Sequence, residues 1–154
     1  MKLGFIGLGK MGGNMVERLM GGGHEIVAYD PCVEAVDQAV AKGATQVGSL
    51  EEMANSLPDP KIIWVMVPAG APVDETINSL VPFLKAGDII IDGGNSNWRE
   101  TQKRAEALAS KSIHFLDCGT SGGVWGLKNG YCLMVGGEPN ACKMLEPVFT
   151  TLAP

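Results

Sequence analysis

The chain alternates between short apolar runs and stretches in which apolar positions recur every three to five residues. The first run (Leu3, Phe5, Ile6) leads into Gly7-Leu8-Gly9-Lys10-Met11-Gly12. Met11, Met15, Val16, Leu19 and Met20 then follow helical spacing, which puts them on one face. Gly21-Gly22-Gly23 ends that helix, and a second run, Ile26-Val27-Ala28-Tyr29, stops at Asp30. Val33, Val36 and Val40 mark a second helix ending near Gly43, and residues 45–47 a short third strand. Ser49-Leu50-Glu51-Glu52 is a capping-box pattern opening a third helix, which Leu57-Pro58-Asp59-Pro60 closes.

Ile62-Ile63-Trp64-Val65-Met66-Val67 shows no alternation, so it predicts a strand buried on both faces. After Pro68-Ala69-Gly70-Ala71-Pro72, a fourth helix carries Val73, Ile77, Leu80, Val81 and Leu84. A buried strand over 89–92 precedes Gly93-Gly94-Asn95-Ser96, and Asn97 with Glu100 caps a polar helix running to about Ser110. A sixth strand spans 113–117, followed by Gly119-Thr120-Ser121-Gly122-Gly123 read as a loop, and a last strand spans 131–135. The final helical pattern contains Pro147, which predicts a kink or a two-part helix.

Strands alternating with helices on short loops predict an α/β domain with a doubly wound, mostly parallel sheet. In such a sheet every loop that follows a parallel strand opens at one edge. The glycine loop, Asp30, Val67-Pro68-Ala69, Asn95 and Ser121-Gly122-Gly123 are therefore expected to converge on one crevice.

Strand, glycine turn, helix, strand and acid is the order a dinucleotide site requires. Gly7 permits the turn, Gly9 lets backbone approach a pyrophosphate, and Gly12 lets helix and sheet pack closely. The helix N-terminus offers free N–H groups and a positive dipole end to phosphates. Asp30 ends the second strand, where a carboxylate accepts hydrogen bonds from ribose hydroxyls.

At 154 residues the chain suits one domain, able to bury about 70% of its unfolded surface. A net charge of −5 with scattered Lys and Arg argues against a nucleic-acid or anionic-membrane surface. No apolar run approaches the ~20 residues of a membrane span, and Lys10 and the glycines interrupt any signal-peptide pattern. Cys32, Cys118, Cys132 and Cys142 lack metal-like spacing, so no metal is expected; free thiols in a cytoplasmic protein are. His24 and His114 read as structural and Trp64 as core, while Trp98 and Trp125 stand beside the motifs, where they could wall a cofactor.

The glycine signature, continuing to Asn14-Met15, resembles that of the β-hydroxyacid dehydrogenases. Met66-Val67-Pro68-Ala69-Gly70, Asp92-Gly93-Gly94-Asn95-Ser96 and Gly119-Thr120-Ser121-Gly122-Gly123, on to Gly126, resemble decarboxylating 6-phosphogluconate dehydrogenases within that group. The resemblance covers essentially the whole chain and implies a Rossmann cofactor domain, residues 1–154. It implies oxidation of 6-phosphogluconate to ribulose 5-phosphate and carbon dioxide, with hydride passing to a nicotinamide. Gly7, Leu8, Gly9, Lys10, Met11, Gly12, Asp30, Val67, Pro68, Ala69 and Asn95 are the implied cofactor residues. Asn95, Ser121, Gly122 and Gly123 are the implied substrate residues.

Many members use NADP and carry an Asn-Arg pair where this chain has Asp30-Pro31, so NAD is the expected cofactor. The family's general base and acid lie beyond the position of Pro154, in a helical substrate and dimerisation domain expected to follow. No catalytic residue is assigned within the chain. A homo-oligomer is expected of the full-length protein, which would be larger than this fragment. A 3-hydroxyisobutyrate-type dehydrogenase and a non-catalytic NAD-sensing module are the competing readings.

Overall fold

A computed structural model describes residues 1–154. The chain runs β1 (Lys2–Ile6), α1 (Lys10–Gly21), β2 (Glu25–Tyr29), α2 (Val33–Ala41), β3 (Thr45–Gln46), α3 (Leu50–Ser56) and β4 (Ile62–Val65). It continues with α4 (Ala71–Leu80), β5 (Ile89–Asp92), α5 (Trp98–Ala109), β6 (His114–Ser121) and α6 (Gly126–Asn129). The last elements are β7 (Cys132–Gly136), α7 (Pro139–Met144) and α8 (Glu146–Leu152). The strands lie in one sheet of order β3-β2-β1-β4-β5-β6-β7. The first six are parallel, and only β7 runs antiparallel, paired to β6. No helix is long and apolar enough to cross a membrane.

The unbroken apolar runs divide by strand period between two cores. Leu3, Phe5, Ile62, Trp64, Ile89 and Ile91 face α1, α2, α7 and α8. Ile6, Val27, Ile63, Val65 and Ile90 face α3, α4 and α5. Trp64 is fully buried, stacked on Phe5 with ring centroids 6.1 Å apart. One arginine fastens this frame. Arg18 of α1 donates to the carbonyls of Leu127, Thr151, Leu152 and Ala153, tying α6 and the end of α8 to α1.

Three expectations need correction. The fourth strand stops at Val65, and Met66 and Val67 belong to the turn beyond it. The fourth helix ends at Leu80, and Val81–Phe83 tightens into a 3₁₀ turn, because Pro82 supplies no N–H for an α-helical bond. The sixth strand extends through Ser121, so Gly119-Thr120-Ser121 is not loop: it pairs with β7 in a register set by Ser121 opposite Cys132. The C-terminal pattern is a two-part helix as expected, α7 and α8, with Pro147 in the first turn of α8, where a missing N–H costs nothing. The Ser49 cap holds as read: Ser49 Oγ accepts from Glu52 N–H at 3.1 Å. The return bond reaches Gly48 N–H at 2.8 Å instead of Ser49.

Candidate functional site

Connections from β1 and β4 leave the adjacent strands in opposite directions across the sheet, since β1 is followed by β2 and β4 by β5. That divergence opens a crevice at the carboxyl ends of the strands. The cleft there measures about 690 Å³. Gly7, Gly9, Lys10, Met11, Gly12, Asp30, Val67, Pro68 and Asn95 line it together. Residues from four separate strand ends thus meet in one place.

The floor is the turn from β1 into α1. Gly7 sits at φ +97°, a left-handed conformation that glycine tolerates without strain, and a Cβ there would overlap the Met66 carbonyl. Gly12 lies against the Gly7 carbonyl with no room for a Cβ, so α1 packs directly on the turn. At Gly9 a Cβ would meet no protein atom within 4 Å. The space above Gly9 belongs to the cleft, which is what a close-approaching pyrophosphate needs. Gly9 is also the N-cap, with no side-chain cap and no acid in the first turn, and the first intrahelical bond is Gly13 N–H to Gly9 at 2.7 Å. The helix N-terminus is left with amides for an anion.

Asp30 forms one end of the cleft. Its Oδ2 accepts from Leu8 N–H at 2.7 Å and its Oδ1 from Cys32 N–H at 2.7 Å. These bonds fix the carboxylate, and each oxygen keeps a second lone pair for a ribose hydroxyl. A neighbouring hollow of about 430 Å³ is lined by Tyr29, Asp30, Val36, Gln46, Glu52 and others, and contains no Lys or Arg.

At the other end Asn95 stands at φ 58° in the loop after β5. Its Oδ1 accepts from Thr120 N–H at 3.0 Å and its Nδ2 donates to Thr120 O at 3.3 Å. The side-chain amide thereby acts as one extra peptide unit on β6 at Thr120. Below it the fully buried Asp92 accepts from Gly94 N–H at 2.9 Å and from Ser96 Oγ at 2.5 Å. Burial, reinforced by Asp92, raises the carboxyl of Asp117 above its ordinary range.

Several expected residues lie outside the cleft lining. Leu8 turns its side chain into the core and contributes only its amide, to Asp30. Ala69 is exposed in the turn. Ser121, Gly122 and Gly123 sit at the end of β6 beyond Thr120, beside the cleft. Trp98 and Trp125 are 60% and 69% exposed and wall nothing there. His24 bridges the N-terminal ammonium at 2.9 Å and Thr151 Oγ1 at 3.0 Å. His114 pairs with Glu138 at 2.5 Å. Sequence reasoning missed Pro72, Glu75 and Thr76, which form a wall from the first turns of α4. The rule that placed the loop after β4 at the cleft also places the helix that loop opens.

Fold and cleft together define an α/β dinucleotide-binding domain. A family model described as the NAD-binding domain of 6-phosphogluconate dehydrogenase matches residues 2–154. The chain belongs to that family. It is 48% identical over 153 residues to a decarboxylating, NAD(+)-dependent 6-phosphogluconate dehydrogenase of Haloferax volcanii, covering 99% of this chain and 50% of that protein. A decarboxylating 6-phosphogluconate dehydrogenase of Haemophilus influenzae is 42% identical, over 98% of this chain and 32% of its own length. Among solved structures, Plasmodium falciparum 6-phosphogluconate dehydrogenase superposes with a TM-score of 0.93 at 28% identity, over 100% of this chain and 34% of that one. A Mycobacterium tuberculosis 3-hydroxyisobutyrate dehydrogenase superposes at 0.91 with 27% identity, over 99% and 52%. The chain thus spans a third to a half of the length of these relatives.

Proposed function

We propose that this domain is the cofactor half of an NAD-preferring, decarboxylating 6-phosphogluconate dehydrogenase. The observation carrying the cofactor choice is Asp30: a carboxylate anchored by two backbone amides at the cleft's end, with Glu52 and no cation on the adjoining hollow. A ribose 2′-phosphate would meet negative charge there, whereas a free 2′-hydroxyl would gain a charge-assisted hydrogen bond. The cleft suits a dinucleotide through its uncapped helix and the open space at Gly9.

In this reading the α1 amides hold the pyrophosphate, and Val67, Pro68 and Ala69 border the nicotinamide. When bound, NAD supplies the hydride acceptor. Asn95, itself held by its bonds to Thr120, orients the substrate's hydroxyl end. Ser121, Gly122 and Gly123 receive the sugar acid, with backbone N–H groups available to its carboxylate. The general base, the general acid and the groups holding the distal phosphate come from residues outside 1–154. The whole protein would work as a homo-oligomer in the cytoplasm.

The experiment is a steady-state assay of the full-length protein with 6-phosphogluconate or 3-hydroxyisobutyrate, each with NAD. Turnover of 6-phosphogluconate with release of carbon dioxide is expected. Turnover of the hydroxyisobutyrate alone would move the protein to the sister enzymes, and no turnover of either would favour a binding module.

A further inference from the structure

Behind the cleft, one buried side chain reaches both of its walls. Arg104 of α5 is 6% exposed. Its Nε donates to Asp74 Oδ1 at 2.7 Å and its Nη2 to Asp74 Oδ2 at 3.2 Å, a bidentate grip on the first turn of α4. Nη2 also donates to the Gly70 carbonyl at 3.2 Å, where the loop after β4 enters that helix. The first wall of the cleft, Met66 to Thr76, is thereby held at the start of its helix. On the other side Nη1 lies 4.0 Å from Asp92 Oδ2 and has no hydrogen-bond partner. Asp92 in turn holds Gly94 and Ser96, and Gly93, Gly94 and Asn95 form the second wall.

From this geometry we infer that Arg104 is a positioning residue that sets the separation of the two walls flanking the nicotinamide half of the cofactor. The inference rests on the reading of the cleft as an NAD site. A guanidinium suits the task because its planar fork binds a carboxylate in two places and still presents a third nitrogen to Asp92, which a lysine ammonium does not do from one point. The free Nη1 donor gives the second wall a charged anchor, and the low-dielectric surroundings strengthen that attraction. Arg104 touches neither Asp30 nor the α1 turn, so its influence belongs to one end of the cleft only.

The test uses two ligands that share the adenosine and diphosphate portion: NAD, and ADP-ribose, which lacks the nicotinamide. Calorimetric titration of Arg104→Met should show NAD binding weakened about tenfold, the value of roughly one hydrogen bond's worth of wall placement. ADP-ribose binding should stay within about twofold of wild type, since the groups proposed for it are untouched. Arg104→Lys should fall between wild type and Arg104→Met for NAD. Removing the guanidinium leaves Asp92 buried without its cation, so Arg104→Met carries a folding risk. Asp74→Asn avoids it, because the Asp74 side chain is 55% exposed, and should weaken NAD in the same sense while sparing ADP-ribose. Equal weakening of both ligands, or of neither, would overturn the inference. A wild-type protein binding neither ligand would instead overturn the reading of the cleft, and this inference with it.

Discussion

Two glycines three residues apart in the first turn should respond in opposite ways to the same added methyl. At Gly12 the new Cβ overlaps the Gly7 carbonyl, a backbone atom that cannot rotate away. Reaching an ordinary contact of about 3.5 Å requires α1 to withdraw by roughly 1.4 Å. Overpacking against a backbone atom falls in the upper part of the usual range, at about 2–3 kcal/mol. Alanine's better helix propensity returns ~1 kcal/mol, leaving a net destabilisation of roughly 1–2 kcal/mol. For a chain of 154 residues, each kcal/mol lowers the melting temperature by about 3 °C, so Gly12→Ala should melt about 3–6 °C lower. At Gly9 the methyl meets no protein atom, and the N-cap backbone at φ −59° is one alanine adopts readily. The weaker capping preference of alanine and the stiffer unfolded chain offset each other, keeping Gly9→Ala within about 2 °C of wild type. Its methyl projects where the pyrophosphate is proposed to lie, and a steric cost of ~1–3 kcal/mol there weakens NAD by about tenfold or more. Differential scanning calorimetry and NAD titration on both variants check this. A Gly12→Ala protein as stable as wild type, or a Gly9→Ala protein with full NAD affinity, would refute the reasoning.

Asn95→Ala and Ser121→Ala in the full-length protein should reduce turnover of 6-phosphogluconate by about 100-fold through misorientation while changing NAD affinity far less; unchanged turnover in both variants would remove them from the substrate edge. Cys118 is fully buried and its thiol is pushed up to about 11 by burial, so it should resist alkylation at neutral pH, whereas the exposed Cys32 and Cys132 should react; mass spectrometry of the labelled protein reads this out. Burial, with the nearby N-terminal ammonium, holds His24 below its ordinary 6.5. The unfolded chain therefore binds a proton the folded one does not between that lowered value and 6.5, and stability falls as pH drops through this window. Thermal melts of wild type and His24→Gln between pH 5 and 8, as an order-of-magnitude range around that value, should show the slope only in wild type.

The sheet was legible because its signals are local. Uninterrupted apolar runs such as 62–65 and 89–91 mark buried strands, and glycine and proline punctuate them. The convergence of Gly7, Gly9, Asp30, Val67 and Asn95 followed from parallel topology, which gives every parallel strand the same exit edge. What stayed hidden depends on tertiary partners. The extension of β6 through Ser121 is created by pairing with β7, and Gly119-Thr120-Ser121 alone carries the look of a loop. The Asn95–Thr120 bridge joins residues 25 apart in sequence. Arg18 and Arg104 occupy helix positions that read as polar faces, yet each is turned inward by carbonyls or carboxylates from distant segments. The minor role of Leu8's side chain is likewise invisible in a motif that counts positions without saying which atom of each residue is used.

The most direct test of the account is calorimetric titration of the protein with NAD and with NADP under identical salt. Loss of one charge-assisted hydrogen bond, worth ~1.5–3 kcal/mol, together with repulsion of a 2′-phosphate by Asp30, predicts NAD binding tighter on the order of 100-fold. Asp30→Asn should narrow that gap chiefly by weakening NAD. Equal affinities, a preference for NADP, or no binding of either dinucleotide would contradict the role given to Asp30 and, in the last case, the identity of the cleft itself.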